Sequence, residues 1–215
     1  MSNIIEFITA SGLASASVHC WLCQKPASVR ALFCHHCGSI QPVRKLDHFT
    51  RLGLEKRIDI DLSVLERQYQ AFRRTLDPQR FSLRGMGERG HAAKQLEALE
   101  EAYETLRDPV RRGRYWLQLH EQEVRQNEAA YLKTGRLRHE LETATETAQC
   151  DRIAQLAGQA MENGIVNLMQ SLRAQDWKQA NELLSELDGL EEILKDIRKR
   201  RAELAAKYGN EAAGT

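Results

Sequence analysis

From residue 61 onward, apolar positions recur three and four residues apart. Leu62, Leu65, Tyr69, Phe72 and Leu76 form one such stripe, and Ala92, Leu96, Leu99, Tyr103 and Leu106 form a second. This period places each set on one face of an α-helix. Two amphipathic helices with matching stripes bury them by facing each other in antiparallel fashion. A third stripe comprises Ala180, Leu183, Leu187, Leu190, Leu194 and Ile197. No Val/Ile/Thr-rich alternating run appears, so the pattern predicts an all-α chain.

Local signals bound the elements. Asp47 can cap a short helix that Gly53 ends, and Asp61 can cap the first striped helix, which stops at Pro78. A polar loop containing Gly85, Gly87 and Gly90 follows, and the second striped helix stops at Asp108-Pro109. Val110 to Leu119 adds a short helix with Tyr115, Trp116 and Leu117. None of the four prolines lies beyond Pro109, so long helices are permitted there. We expect them at 128–149, 151–174 and 177–208, as an antiparallel hairpin or three-helix bundle. Gly158 and Gly164 weaken the middle one by about 1 kcal/mol each relative to Ala. The short, interrupted stripes suit an intramolecular core better than a coiled-coil seam. Residues 1–18 and 209–215 read as flexible ends.

Composition narrows the function classes. The 215 residues hold one large or two small domains, and the net charge of +1 gives no global field to recruit nucleic acid or anionic membrane. No apolar run approaches the roughly 20 residues that span a bilayer. The N-terminus carries Glu6 and no basic residue before Val18, unlike a secretory or transit peptide. One isolated Cys150, read as an ordinary helix residue, and two cysteine pairs suit a reducing, cytoplasmic-type compartment.

Cys20, Cys23, Cys34 and Cys37 form two Cys-x-x-Cys pairs with ten residues between them. Two knuckles, each offering two thiolates, can close a tetrahedral site around one Zn²⁺, and iron fits the same tetrahedron. The alternative is four unligated or disulfide-bonded cysteines. Gly38 permits the tight turn of the second knuckle, and Trp21 and Phe33 can cover the module. His19, His35 and His36 flank a complete sulfur set and read as surface groups. Four protein ligands leave no open position, so the metal is structural. A nucleic-acid finger finds only Lys25 and Arg30 in the intervening loop, against −2 from the tetrathiolate, so no nucleic-acid partner is expected. No thiol–base pair or phosphate-cradling loop suggests an enzyme.

A short helix, a basic helix, a Pro-containing loop and a third helix together resemble a J-domain. Asp47-His48-Phe49-Thr50-Arg51-Leu52-Gly53-Leu54 resembles the opening of the HscB family of J-type co-chaperones of iron–sulfur cluster assembly. Glu101 to Pro109, followed by Arg111, Arg112, Tyr115, Leu117 and Leu119, is similar to a second stretch of that family, and the tetracysteine module resembles the head some members carry. The resemblance implies a zinc module over 19–45, a J-like domain over 46–120 and a C-terminal helical domain over 121–208. It implies a DnaK/HscA-type chaperone and an IscU-type scaffold as partners, and it is compatible with a homodimer.

Two departures stand out. The His-Pro-Asp tripeptide of J-domains is replaced by Asp77-Pro78-Gln79. Gln79 cannot supply the charge-assisted bond of a carboxylate, a loss of roughly 1–3 kcal/mol. Asp77 lies two residues away, about 7 Å along an extended chain. The basic face persists in Arg67, Arg73, Arg74 and Arg80, so encounter with an acidic chaperone surface is retained. That face also suits an ordinary solvated helix side. The resemblance also places scaffold binding on one helix face at Tyr131, Leu132, Gly135, Arg136 and His139, with Gly189 replacing an aromatic. Tyr131 and Leu132 fit equally as bundle core. The expectation is a co-chaperone with weakened or lost ATPase stimulation; the alternative is a J-like adaptor that stimulates nothing.

Overall fold

The structure, a computed structural model, describes residues 17–213, with side chains through residue 207. Of the ends expected to be flexible, residues 1–16, 214 and 215 lie outside the described residues. The chain divides into two compact units, through Arg107 and from Asp108 onward. The cut groups the 109–119 helix, which the sequence reading placed with the J-like segment, with the C-terminal helices.

The first unit begins with β1 (Ser17–His19) paired antiparallel to β2 (Pro26–Ser28), Val18 opposite Ala27. It continues with α1 (His48–Arg51), α2 (Leu62–Thr75), a 3₁₀ turn over Pro78–Phe81, and α3 (Met86–Arg107). The Asp47 carboxylate accepts from the Thr50 amide at 2.9 Å and the Asp61 carboxylate accepts from Ser63 and Val64, so both expected caps form. Gly53 ends α1 at φ +66°, where a side chain would be strained. α3 packs on both α1 and α2, burying Phe49, Leu52, Leu65, Leu76, Leu99 and Leu106. The Tyr69 ring stacks on Tyr103 at 4.0 Å, and the Tyr103 hydroxyl donates to Glu66. Two expectations need correction. Leu62 is 53% exposed, because at the first helical residue the side chain tilts toward the N-terminus and leaves the packed stripe. Gly87 and Gly90 lie within α3 and not in the loop.

The second unit comprises α4 (Pro109–Leu119), α5 (Glu128–Leu132), α6 (Gly135–Glu142), α7 (Thr147–Arg173) and α8 (Trp177–Ala213). Asp108 caps α4 by accepting from the Arg111 amide at 2.7 Å, with Pro109 at the first helical position. α7 and α8 form the long antiparallel hairpin expected from the pattern, and α4, α5 and α6 also pack on α8. With neighbours on several sides, the buried arc of α8 widens: Leu184 and Ile193 are buried, whereas Leu183 and Leu194 are only half-buried. The expected single helix over 128–149 is broken twice. The Thr134 hydroxyl donates to the Tyr131 carbonyl at 2.8 Å, a side-chain bond that competes with the helical ladder. Glu146 and Gln149 then form a capping box that starts α7 at Thr147, four residues before the expected start. Cys150 is buried on α7, in agreement with its reading as a helix residue. Among the described residues, no helix is long and apolar enough to cross a membrane.

Candidate functional site

The four predicted cysteines converge. Cys20, Cys23, Cys34 and Cys37 place their sulfurs within 4.8 Å of one another, with Cys20–Cys37 and Cys23–Cys34 each at 3.7 Å. A tetrahedron with metal–sulfur bonds of about 2.3 Å has sulfurs about 3.8 Å apart, so the set fits one tetrahedral ion. All four are free of disulfides. His19, His35 and His36 are exposed and outside the cluster.

Two near-identical hairpins build this geometry. The Cys20 amide donates to the Lys25 carbonyl at 2.9 Å, and the Cys34 amide to the Ser39 carbonyl at 2.8 Å. Within each, the residue after the second cysteine adopts left-handed backbone: Gln24 at φ +60° and Gly38 at φ +71°. Gly38 was legible as a turn; Gln24, a costlier residue for that conformation, was not, although it sits at the equivalent position. β1 and β2 flank the first knuckle, and a bridge between Phe33 and Ile40 flanks the second.

Polar neighbours favour the thiolate, the form a metal binds, at Cys20 and Cys37. At Cys23 the bond from the backbone at Lys25 pulls the thiol down, but burial and the neighbouring Cys37, Cys34 and Cys20 sulfurs outweigh it and push the thiol up to about 11. Burial pushes the Cys20 thiol up, but the backbone at Cys23, the Ser39 hydroxyl, the Leu22 amide and the Gln41 side chain outweigh it and bring it to about 5. The Ser39 hydroxyl, 3.2 Å from the Cys37 sulfur, holds that thiol below its ordinary range. Sequence reading missed Ser39 and Gln41; both are buried polar residues just past the second knuckle.

Trp21 and Phe33, expected to cover the module, also join it to the helices. Trp21 packs on the Cys20–Cys34 core and donates from its indole N–H to the Ile40 carbonyl at 2.7 Å. Its ring also meets His91 edge-on at 4.9 Å and faces Gly87. Phe33 stacks parallel to Phe81, centroids 6.4 Å apart. Each ring sits beside a cysteine, and together they hold both ends of the segment from Phe81 to Gly87. Gln95 adds a bond to the Gln41 carbonyl at 2.9 Å.

Immediately ahead of that segment, Asp77, Pro78 and Gln79 are exposed. Asp77 caps the 3₁₀ turn by accepting from the Gln79 amide at 2.9 Å. Arg67, Arg73, Arg74 and Arg80 are exposed, and none makes an ion pair among the described residues.

The suggested C-terminal patch is divided between elements. Tyr131 and Leu132 lie on α5; Gly135, Arg136 and His139 lie on α6; Gly189 lies on α8. Leu132 is 60% exposed, while the Tyr131 hydroxyl donates to Glu192 and accepts from Arg138 at 3.0 Å. Arg136 pairs with Glu140 at 2.9 Å. A Cβ on Gly189 would lie 2.8 Å from the Thr134 hydroxyl oxygen and 3.2 Å from the Tyr131 carbonyl oxygen, so glycine is what lets α8 approach this turn.

No family model matches the chain. Individual proteins do. The chain is 26% identical over 187 residues to an iron–sulfur cluster co-chaperone protein HscB homolog of Arabidopsis thaliana, covering 84% of this chain and 73% of that protein. It is 24% identical over 205 residues to the iron–sulfur cluster co-chaperone protein HscB of Homo sapiens, covering 91% and 87%. The fold resembles the crystal structure of human co-chaperone protein HscB with a TM-score of 0.78 at 23% identity, covering 86% of this chain and 98% of that one. Relatives matched over most of their length, the matching fold and the J-like motifs point the same way: the chain is similar in sequence and fold to HscB iron–sulfur cluster co-chaperones.

Proposed function

We propose that this protein is a co-chaperone of iron–sulfur cluster assembly that brings an IscU-type scaffold to a DnaK/HscA-type chaperone, with Zn²⁺ as a structural ion in its cysteine site. Zinc suits the site because four thiolates in a tetrahedron leave no coordination position for a reactant. When bound, the ion cross-links the two hairpins, and the chain's own Trp21 and Phe33 carry that rigidity to the segment after Phe81.

The observation that carries the reading is the exposed run Arg67, Arg73, Arg74 and Arg80, without ion pairs among the described residues, which leads into the exposed Asp77-Pro78-Gln79 turn. An exposed basic face steers encounter with an acidic partner surface without fixing affinity. Leu132 is the apolar anchor we assign to scaffold binding, with Tyr131, Gly135, Arg136 and His139 beside it. Gly189 serves the approach of α8 to the Tyr131–Thr134 turn.

A second reading, an adaptor that binds without stimulating, is favoured by one specific feature. Asp77 is held on the Gln79 amide, and Gln79 is neutral, so the loop presents no free carboxylate at the place of the family's acidic residue. ATP turnover of a DnaK-type chaperone, measured with and without scaffold, tests both. Stimulation by the parent chain supports the co-chaperone. No stimulation at saturating protein overturns it, and rescue by D77H/Q79D then establishes the adaptor.

A further inference from the structure

The first unit contains a semi-enclosed pocket of about 70 Å³ that neither the metal site nor the basic face explains. Leu32, Leu46, Phe72, Leu76 and Leu99 give it an apolar lining. Three arginines, Arg30, Arg44 and Arg51, also line it, and no carboxylate does. Like charges gathered on a low-dielectric wall repel one another more strongly than in water, and an arginine stays charged at any ordinary pH. The Nε of Arg44 is buried without a hydrogen-bond partner. A buried donor left unsatisfied is costly, so this one marks where an acceptor belongs. Arg51 is held in place by donating to the Arg44 carbonyl at 2.8 Å. Arg30 is exposed. The Thr50 hydroxyl is turned to Asp47, at 2.8 Å, and does not satisfy Arg44.

We propose that this pocket binds a phosphate-class oxyanion. The chemistry follows from the donors: forked guanidiniums match tetrahedral and planar oxyanions, and three of them can share the charge of a doubly ionised phosphoryl group. The size follows from the volume. A water needs roughly 10–15 Å³ by this measure, so the space takes about five to seven heavy atoms and excludes a nucleotide. The same chemistry comes from free phosphate or from a phosphorylated side chain.

The test is calorimetric titration of the zinc-loaded full chain with inorganic phosphate, and in parallel with O-phosphoserine, each against sodium chloride of equal ionic strength. Saturable one-site binding is expected, weakened about tenfold or more in both R44Q and R30Q through loss of a charge-assisted contact. Arg30 is exposed, so R30Q keeps the parent melting temperature and remains informative if R44Q fails to fold. Tighter binding of O-phosphoserine assigns the site to a phosphorylated chain, and tighter binding of phosphate assigns it to the free ion. Heat no larger than that of chloride, or R30Q and R44Q binding like the parent, overturns the proposal.

Discussion

The Asp77 carboxylate accepts the Gln79 amide proton at 2.9 Å through one oxygen, so the acidic residue of this loop caps its own turn while the position after Pro78 holds a neutral side chain. The two positions are therefore separable. Q79D alone adds the missing carboxylate and is expected to raise chaperone affinity by about 5- to 150-fold, the range for regaining a charged hydrogen bond. D77H alone removes the cap and is expected to raise affinity less than threefold. Affinity for the chaperone, measured by competition for a labelled parent chain, distinguishes them. Equal gains from both variants would show that the cap has no part in the deficit.

Trp21 and Gly87 yield a stability prediction. A Cβ on Gly87 would lie 3.1 Å from the indole, which its bond to Ile40 holds in place. Nothing lies within 4 Å of a Cβ on Gly90, in the same helix. G90A is expected to stabilise by about 0.5–1 kcal/mol, the ordinary helical gain of Gly to Ala. G87A is expected to lose that gain and fall below the parent. Urea unfolding followed by circular dichroism ranks the three.

The same contrast recurs in the hairpin of α7 and α8. A Cβ on Gly164 would lie 2.8 Å from Leu187 Cδ2, whereas one on Gly158 meets open space. Overpacking costs about 1–3 kcal/mol, so G164A destabilises and G158A stabilises by up to about 1 kcal/mol. Thermal melts of both variants check the order, and a stable G164A would mean the helices can move apart at no cost.

Removing the metal should act locally. One ion per chain is expected, and strong chelation should release amide-exchange protection at Cys20 and Cys34, whose bonds to Lys25 and Ser39 close the knuckles. Protection along α7 and α8 should persist. Metal analysis with hydrogen exchange measures both, and loss of protection in α7 would contradict the local assignment.

Asp47 predicts an acid response. Burial pushes its carboxyl up, but bonds from the Thr50 amide, Lys56 and the Thr50 hydroxyl outweigh burial and leave it below the usual carboxylate range. A carboxyl depressed on folding stabilises above its unfolded value, about 3.9, and that contribution disappears as pH falls through the lower folded value. D47A is expected to cost about 1 kcal/mol at pH 7, the usual worth of a cap, and progressively less below pH 4. Denaturant unfolding of parent and variant between pH 2.5 and 7 tests this; a constant difference would exclude the ionised cap.

Much of this was legible because it is local. Cysteine spacing picked out the four sulfurs that converge, and the stripes together with the position of Pro109 identified α2, α3, α4 and the long hairpin. The caps at Asp47 and Asp61 formed where the residue types require them. The errors lie where local rules compete. Residues 128–149 carry good helix formers, yet Thr134 diverts a carbonyl and Glu146 with Gln149 starts a new helix. Gly87 reads as loop punctuation until Trp21 is placed against it.

The sequence by itself determined the four converging cysteines, the helical class and the altered Asp77-Pro78-Gln79 turn, since each depends on residues close together along the chain. Only the tertiary structure decided what the aromatic neighbours of the cysteines do, why position 189 is glycine, and that three arginines share one pocket. Those are meetings between separate elements, from 7 positions apart for Arg44 and Arg51 to 66 for Trp21 and Gly87, and no periodicity encodes which side chains meet once separate elements pack.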